Sequence, residues 1–454
     1  MKKISSVLLS IVLMAVTALT CFETTATAMN FETGLDLSSE AVYMMNIDTG
    51  EVVVSINESE KRVPASLTKI MTCVVVLEQV GEDVEALKSK TASGGIPVFE
   101  ELWGTNCSTA DIQMNEEVTY YDLLHALMIP SACEAANILA VDVAGSLPAF
   151  IDLMNTKASE IGMSNSNFSN THGLFVDENY TTCEDMAKLC QYALEKYPIF
   201  AEIVSKPSFE MAPTSNHPDG TTIVNTNKML QVGSDYYYRY AMGIKTGFLD
   251  EAGRCLASYA TNNGSTYIIV SMGASSKDSE GNNVMYNCTD HVNLYKWAFS
   301  RLSMQTILNG DSEITDIKVQ FGDEKTTVNL KPAETIEVIW VDKLTINESD
   351  SAEVKAYKES IQKISDIEQR ITLAENVVAP IKINDVLGSV ELVYNGKVIA
   401  NVELISTQEV GRSTVKAQTQ VAKSFFKSPS FKIVVIVIIA VVALYFTIVF
   451  LVMK

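Results

Sequence analysis

Twenty-one consecutive residues near the end of the chain, Ile433 to Met453, carry no charge. At about 1.5 Å per residue, a helix of that length spans about 30 Å, the thickness of a bilayer's hydrocarbon core. At that depth the backbone can satisfy its polar groups only as a helix or a closed barrel. This segment therefore reads as a membrane anchor, and the chemistry belongs to the residues before it. At the opposite end, Met1-Lys2-Lys3, the apolar stretch Val7 to Leu19 and the small-residue site Ala26-Thr27-Ala28 have the form of a cleavable secretory signal. Cys21 is a poor lipoprotein site because Thr20 precedes it. The two ends place the intervening chain outside the cell, tethered at its C-terminus. Lys423, Lys427 and Lys432 would then lie outside and only Lys454 inside. A long translocated domain overrides the usual positive-inside bias, and the lysines suit anionic head groups.

The 454 residues leave about 400 for the mature protein, which suits two domains. A formal net charge of −21 argues against nucleic acid as a partner. Of eight cysteines, seven remain once Cys21 leaves with the signal, an odd number that a monomer cannot fully pair. Cys73, Cys133 and Cys255 read as buried thiols, a usage suited to a reducing or anoxic setting. No His/Cys/Asp spacing resembles a metal site.

Four short motifs follow one another through the middle of the chain: Ser66-Leu67-Thr68-Lys69, Ser131-Ala132-Cys133, Thr171-His172-Gly173-Leu174 and Lys245-Thr246-Gly247. The first puts a hydroxyl and an amine on one face of a helix predicted to begin near Pro64 and to be buried from Ile70 to Leu77. A lysine in an apolar setting beside a second cation can act as a neutral base toward the serine. Thr119 to Asp122 is capping-box-like, Leu123, Leu124 and Leu127 follow at helical spacing, and Pro130 ends that helix. Ser131 therefore falls on a turn before a helix over Glu134 to Val143, either facing the Ser66–Lys69 pair or serving as a structural cap. Tyr240 to Gly247, Arg254 to Ala260 and Tyr267 to Met272 read as antiparallel strands, the last two joined at Asn262-Asn263-Gly264. Lys245 and Thr246 on such a strand suit a carboxylate, although an edge-strand lysine also guards against aggregation. His125, set among leucines, reads as a core or interface residue, and His172 as a loop histidine satisfied by backbone.

With these residues the chain resembles the serine-type D-alanyl-D-alanine carboxypeptidases, the low-molecular-mass penicillin-binding proteins, a family recognised by this motif set. The resemblance runs through Pro64 to Thr72, Met154 to Ala158, Ile161 to Asn165, Asn170 to Leu174 and Asp185-Met186-Ala187. It continues through Asn225-Thr226-Asn227 and Gly243 to Gly247 to Ala252-Gly253, covering about residues 31 to 300, and the later region fits too. It implies that Ser66 attacks the carbonyl of the penultimate D-alanine, that Lys69 takes the proton and that Ser131 relays a proton to the leaving amine. Lys245 and Thr246 of the Lys-Thr-Gly247 motif would hold the terminal carboxylate, and the Ser66 and Phe248 N–H groups would form the oxyanion hole. The partners implied are a peptidoglycan stem peptide ending in D-Ala-D-Ala, β-lactams that trap the acyl-enzyme, and the membrane, on its extracytoplasmic side. No cofactor is implied.

One position departs from the family pattern. The second motif normally ends in asparagine, and here Cys133 stands there. A thiol donates and accepts more weakly than an amide, at a cost of roughly 1–3 kcal/mol for contacts of this kind. Two other readings follow: a catalytically weak or inactive wall-binding or β-lactam-sensing relative, and a β-lactamase, against which the anchor and the later β-rich region argue. A Cys133 nucleophile working with His125 or His172 is a remoter option.

The expected architecture is an α/β (α+β) transpeptidase/β-lactamase-like domain over 29–305, an antiparallel sheet flanked by helices, with a hairpin at Ala41 to Ile56 turning through Asp48-Thr49-Gly50. The Val/Ile-rich strands from Ile317, Thr335 and Ser389 predict a small all-β, β-sandwich-like domain over 312–412, a spacer toward the wall. Residues 351–371 break that pattern as a helical insertion or a solvated loop. A polar stalk over 413–430 and a transmembrane helix over 431–453 complete the chain, with the signal at 1–28.

Overall fold

The computed structural model describes residues 29–341, 351 and 364–452, so the signal segment lies outside the described residues. The chain divides into two compact units, Met1–Ser303 with Ile339–Gln362 and Met304–Val338 with Lys363–Lys454.

The first unit is built on an antiparallel sheet of β1 (Ala41–Asn46), β2 (Val52–Ile56), β3 (Ala241–Leu249), β4 (Gly253–Asn262) and β5 (Ser265–Ala274), in the order β2-β1-β5-β4-β3. The β4–β5 hairpin turns at Asn263 and Gly264, with φ of 51° and 81°. Positive φ at both positions is what a two-residue turn matching the strands' twist requires. The N-terminal hairpin completes the sheet from far away in sequence, Val42 lying opposite Ser271 and Met44 opposite Ile269.

Strand periodicity decides what each face meets. Cys255, Ala257 and Tyr259 of β4 and Ile268, Val270 and Met272 of β5 join the main helical core. From the opposite face, Ser258 and Ser271 reach His291 on helix α6 (Tyr286–Arg301), at 2.7 and 2.8 Å. Both faces of the central strands are thus covered, which is why these strands read as nearly continuous apolar runs.

On the core side lie α1 (Thr68–Val80), α2 (Tyr120–Met128), α3 (Cys133–Ala144), α4 (Leu147–Glu160) and α5 (Cys183–Lys196). Every α1 residue from Thr68 to Leu77 is buried, because α2, α3, α4 and α5 all pack against it. A helix apolar on every side needs such an enclosure. A 3-10 turn, Ala65–Leu67, precedes α1, so Ser66 sits in that tighter turn rather than in an α-helical one, with Ala65 at φ +48°. The Thr119 hydroxyl accepts from the Asp122 N–H at 3.0 Å and caps α2 as expected. Helix α3 begins at Cys133, one residue before the predicted start.

The second unit holds β6 (Thr315–Lys318), β7 (Thr327–Pro332), β8 (Glu368–Leu373), β9 (Val386–Tyr394) and β10 (Lys397–Ser406), an antiparallel sheet in the order β6-β7-β10-β9-β8. Val328, Leu330, Val390, Leu392, Val402 and Leu404 are all buried. Residues 368–371, expected to interrupt the strands, instead form part of β8 by pairing with β9. Most of the remaining predicted insertion lies outside the described residues. The segment expected as a stalk is mostly helix: α7 (Thr414–Lys427) is capped by the Ser413 hydroxyl at 3.3 Å. Helix α8 (Pro429–Val452) follows, with its apolar side chains exposed.

Candidate active site

Lys69 lies one helical turn beyond Ser66, and the enclosure of α1 leaves its side chain with no exposed surface. Its Nζ donates to the Ser66 Oγ at 3.2 Å, to the His172 carbonyl at 2.7 Å and to the Cys133 Sγ at 3.4 Å. Three of the four motifs thus converge on one ammonium group.

The fourth arrives on β3. This is an edge strand, yet Lys245 is buried, so its role is not that of a solvent-facing edge lysine. Lys245 and Gly247 stand opposite Ala257 and Cys255, the residues that face the helical core. A Cβ on Gly247 would lie 3.1 Å from both the Ala65 Cβ and the Pro64 carbonyl, so glycine lets the strand approach the Ser66 turn without pushing those atoms aside. Burial, reinforced by the Lys69 charge, pushes the Lys245 ammonium well below the usual lysine range. Its Nζ donates to the Thr246 carbonyl at 3.2 Å, and the Thr246 and Thr226 hydroxyls share a hydrogen bond of 2.6 Å. Phe248 is exposed, with the Arg254 guanidinium 5.0 Å from its ring centroid.

Ser131 occupies the turn between α2 and α3 at φ +73°, a conformation a non-glycine residue adopts only when its surroundings impose it. The imposing contact is close by: the Ala132 N–H donates to the Ala126 carbonyl at 2.9 Å. The Ser131 Oγ is buried and has no hydrogen-bond partner among the described residues. A hydroxyl in that condition costs free energy until a ligand or water meets it.

The loop holding His172 is pinned by Asn170, whose Oδ1 accepts from the Gly173 N–H at 2.6 Å and whose Nδ2 donates to the Leu174 carbonyl at 2.9 Å. Gly173, at φ +83°, lies against the Ser66 turn; a Cβ there would fall 1.8 Å from the Ala65 carbonyl oxygen. The His172 ring is bonded not to backbone alone but also to a carboxylate, Glu101 Oε1 at 3.0 Å, while its Nδ1 accepts from the Leu174 N–H at 3.2 Å. Burial lowers the His172 pKa. His125 is a packing residue, its ring stacked on Phe209 with centroids 3.7 Å apart and its Nδ1 against the Tyr121 carbonyl at 2.7 Å.

Glu101, Asn137 and Cys107 escaped the sequence reading. Asn137 donates to Glu101 at 2.7 Å and bonds to the Thr171 hydroxyl, joining the two loops behind Lys69. Its only sequence signal is its position one helical turn after Cys133. Glu101 and Cys107 lie in a stretch with no periodicity to read. The influence of Cys133 pulls the half-buried Cys107 thiol down to about 6, while Cys107 and burial push the Cys133 thiol up. Among the described residues neither His125 nor His172 is hydrogen-bonded to Cys133, so the imidazole partner that a Cys133 nucleophile would need is not in place. Among the described residues no group of three His, Cys, Asp or Glu side chains could hold a metal ion.

Comparison with known proteins gives the chain its family. The family model for D-alanyl-D-alanine carboxypeptidase, peptidase S11, matches residues 24–276, and that for the C-terminal domain of penicillin-binding protein 5 matches residues 302–412. D-alanyl-D-alanine carboxypeptidase DacF of Bacillus subtilis is 25% identical over 382 residues, 83% of this chain and 86% of its own length. DacA of Haemophilus influenzae is 27% identical over 406 residues, 88% of this chain and 92% of its own. In fold, the chain is similar to the D-alanyl-D-alanine carboxypeptidase DacD of Francisella tularensis, with a TM-score of 0.61, 22% identity, and coverage of 84% of this chain and 95% of that one. Penicillin binding protein 5 of Haemophilus influenzae gives a TM-score of 0.55 at 23% identity, covering 83% of this chain and 99% of its own. With the peptidase S11 model matched across more than half of its length, the chain belongs to the family of serine-type D-alanyl-D-alanine carboxypeptidases.

Proposed function

We propose that this protein removes the terminal D-alanine from peptidoglycan stem peptides through an acyl-enzyme on Ser66, on the outer face of the membrane to which α8 anchors it. The observation that carries the reading is the Ser66 Oγ to Lys69 Nζ contact of 3.2 Å, made by a lysine with no exposed surface. In its neutral form Lys69 takes the Ser66 proton as Oγ attacks the penultimate carbonyl. The Ser66 and Phe248 N–H groups, on the two segments that meet at Gly247, receive the developing oxyanion. The unpartnered Ser131 hydroxyl passes a proton to the departing D-alanine amine. Lys245 and Thr246 take the terminal carboxylate, whose charge restores the ammonium that burial disfavours. Water then hydrolyses the ester, and a β-lactam, lacking a leaving group that diffuses away, stays attached.

The test uses the full chain in detergent and a stem-peptide mimic ending in D-Ala-D-Ala. D-alanine is released, and Ser66→Ala lowers the rate by about 10³-fold or more. Penicillin adds its mass to the Ser66 peptide of the wild type only. A folded wild type that releases no D-alanine overturns the carboxypeptidase reading; if it still acylates with penicillin, the β-lactam-sensing alternative, with Cys133 as the lesion, replaces it.

A further inference from the structure

Three of the four histidines, His125, His172 and His291, are held below the usual histidine range by burial; His217 alone is held above it, chiefly by its bond to Glu116. It sits at the tip, residues 212–220, of a hairpin made by Ser208–Met211 and Thr221–Val224. Its Nδ1 lies 2.9 Å from Glu116 Oε1 and its Nε2 3.4 Å from Asp111 Oδ2. A neutral imidazole carries one N–H and cannot donate to both carboxylates; the imidazolium can. Glu116 is buried, its Oε1 also accepting from the Thr214 hydroxyl and its Oε2 from the Gln113 N–H at 2.8 Å. The His217 N–H donates to the same Thr214 hydroxyl at 3.0 Å. Glu116, Asp111 and Thr214 are the groups that face the ring; Asp219, also on the tip, makes no hydrogen bond or ion pair with it among the described residues. The segment so held borders the site: Thr109, Asp111, Gln113 and Met114 line an open cleft with Cys107. The segment is also tied to the start of α3. The Cys133 N–H donates to the Ser108 carbonyl at 2.9 Å, and Glu134 Oε1 accepts from the Thr109 hydroxyl at 2.6 Å and the Ala110 N–H at 2.7 Å. Just past the base of the hairpin, Thr226 shares its hydroxyl bond with Thr246.

We infer that His217 is a positioning residue, an imidazolium clasp that fastens the cleft segment 109–116 to the hairpin tip and opens when the ring loses its proton. The opening follows from the geometry. The one remaining N–H stays with one carboxylate, and the bare nitrogen then faces an oxygen lone pair of the other. Because the bonded carboxylates raise the His217 pKa, the clasp is fully closed below about pH 6.5, the ordinary value, and is lost as pH rises through the raised one. A loosened segment leaves the cleft less well formed for a stem peptide, so KM rises. That last step rests on the carboxypeptidase reading; the clasp itself does not.

The experiment follows hydrogen–deuterium exchange of the full chain in detergent by peptide mass, at about pH 6 and about pH 9, either side of the histidine range. Each rate is divided by the intrinsic rate at that pH. Protection over 109–116 and 212–220 is expected to fall roughly fivefold in the wild type between the two, the size set by a partly exposed ion pair. His217→Gln, with no proton to lose, shows no such fall. Asp111→Asn shows none either, because its amide donates to the bare nitrogen, and the exposed position of Asp111 makes this variant the control should His217→Gln fold poorly. Over the same range KM for D-alanine release rises roughly threefold more in the wild type than in His217→Gln, while kcat changes alike in both. Wild-type protection that is the same at both pH values, or that falls equally in the two variants, overturns the clasp; a KM that rises equally in wild type and His217→Gln overturns its link to the site. Exchange is read without turnover, so a protein that releases no D-alanine fails the carboxypeptidase reading while the clasp is still decided.

Discussion

Cys133 stands where the family pattern has an amide, and its geometry shows what the exchange changes. The thiol meets Lys69 Nζ at 3.4 Å, a longer and weaker contact than an amide oxygen would make. It also leaves nothing to donate strongly to a substrate in the cleft. Cys133→Asn is therefore expected to raise kcat/KM for D-alanine release by roughly tenfold, equivalent to about 1.4 kcal/mol of transition-state stabilisation. An unchanged or lower value would mean that the cleft is already shaped around sulfur. Ser66, Lys69 and Lys245 are conspicuous in the sequence because a short motif is enough to mark them. Glu101 and Cys107 are not, since nothing in residues 93–117 says that this loop folds back against the Lys69 pocket. His172 lies between these cases: its loop position is readable, while its Glu101 partner and its carbonyl bond to Lys69 depend on chain folding.

Segment by segment, the site is an assembly of close approaches. The Ser66 turn is gripped from one side by the Asn170–Leu174 loop and from the other by β3, and glycine stands at both points of contact. Gly173→Ala forces a left-handed φ on alanine, costing roughly 1–2 kcal/mol, and drives a methyl into the Ala65 carbonyl, which adds roughly 1–3 kcal/mol of overpacking. The variant is expected to melt several degrees lower and to lose nearly all D-alanine release, because the His172 carbonyl that accepts from Lys69 sits next to the displaced residue. Thermal unfolding by circular dichroism, paired with the activity assay, checks both; an unshifted melting temperature would refute the clash. Helix and strand positions in this unit follow from patterns that local physics reads well: the Thr119 cap, the stop before Pro130 and the Asn263-Gly264 turn. The polar composition of Thr414–Lys427 hides its helical character, although Val421 and Phe425 stand one helical turn apart.

For the molecule as a whole, the decisive division is between the apolar C-terminal helix and everything before it. Helix α8 exposes Ile, Val, Leu and Phe along its length, an arrangement that water does not tolerate and lipid does. Ending the chain at Ser428 is expected to move the protein from the membrane pellet to the soluble fraction, with D-alanine release per molecule within about twofold of the intact chain's. Fractionation after expression checks this, and a truncated chain that still sediments with membranes would assign the attachment elsewhere. Amino-acid order alone was enough for most elements of the first unit, the long apolar C-terminal helix and the four motifs, because hydrophobic period, caps, turns and charge-free length are local properties. The joining of β1 to β5, the burial of an edge-strand lysine, the unmatched Ser131 hydroxyl and the Glu101–His172 pair arise from contacts across tens to hundreds of residues. Such contacts are set by how whole faces pack, which no window of sequence contains.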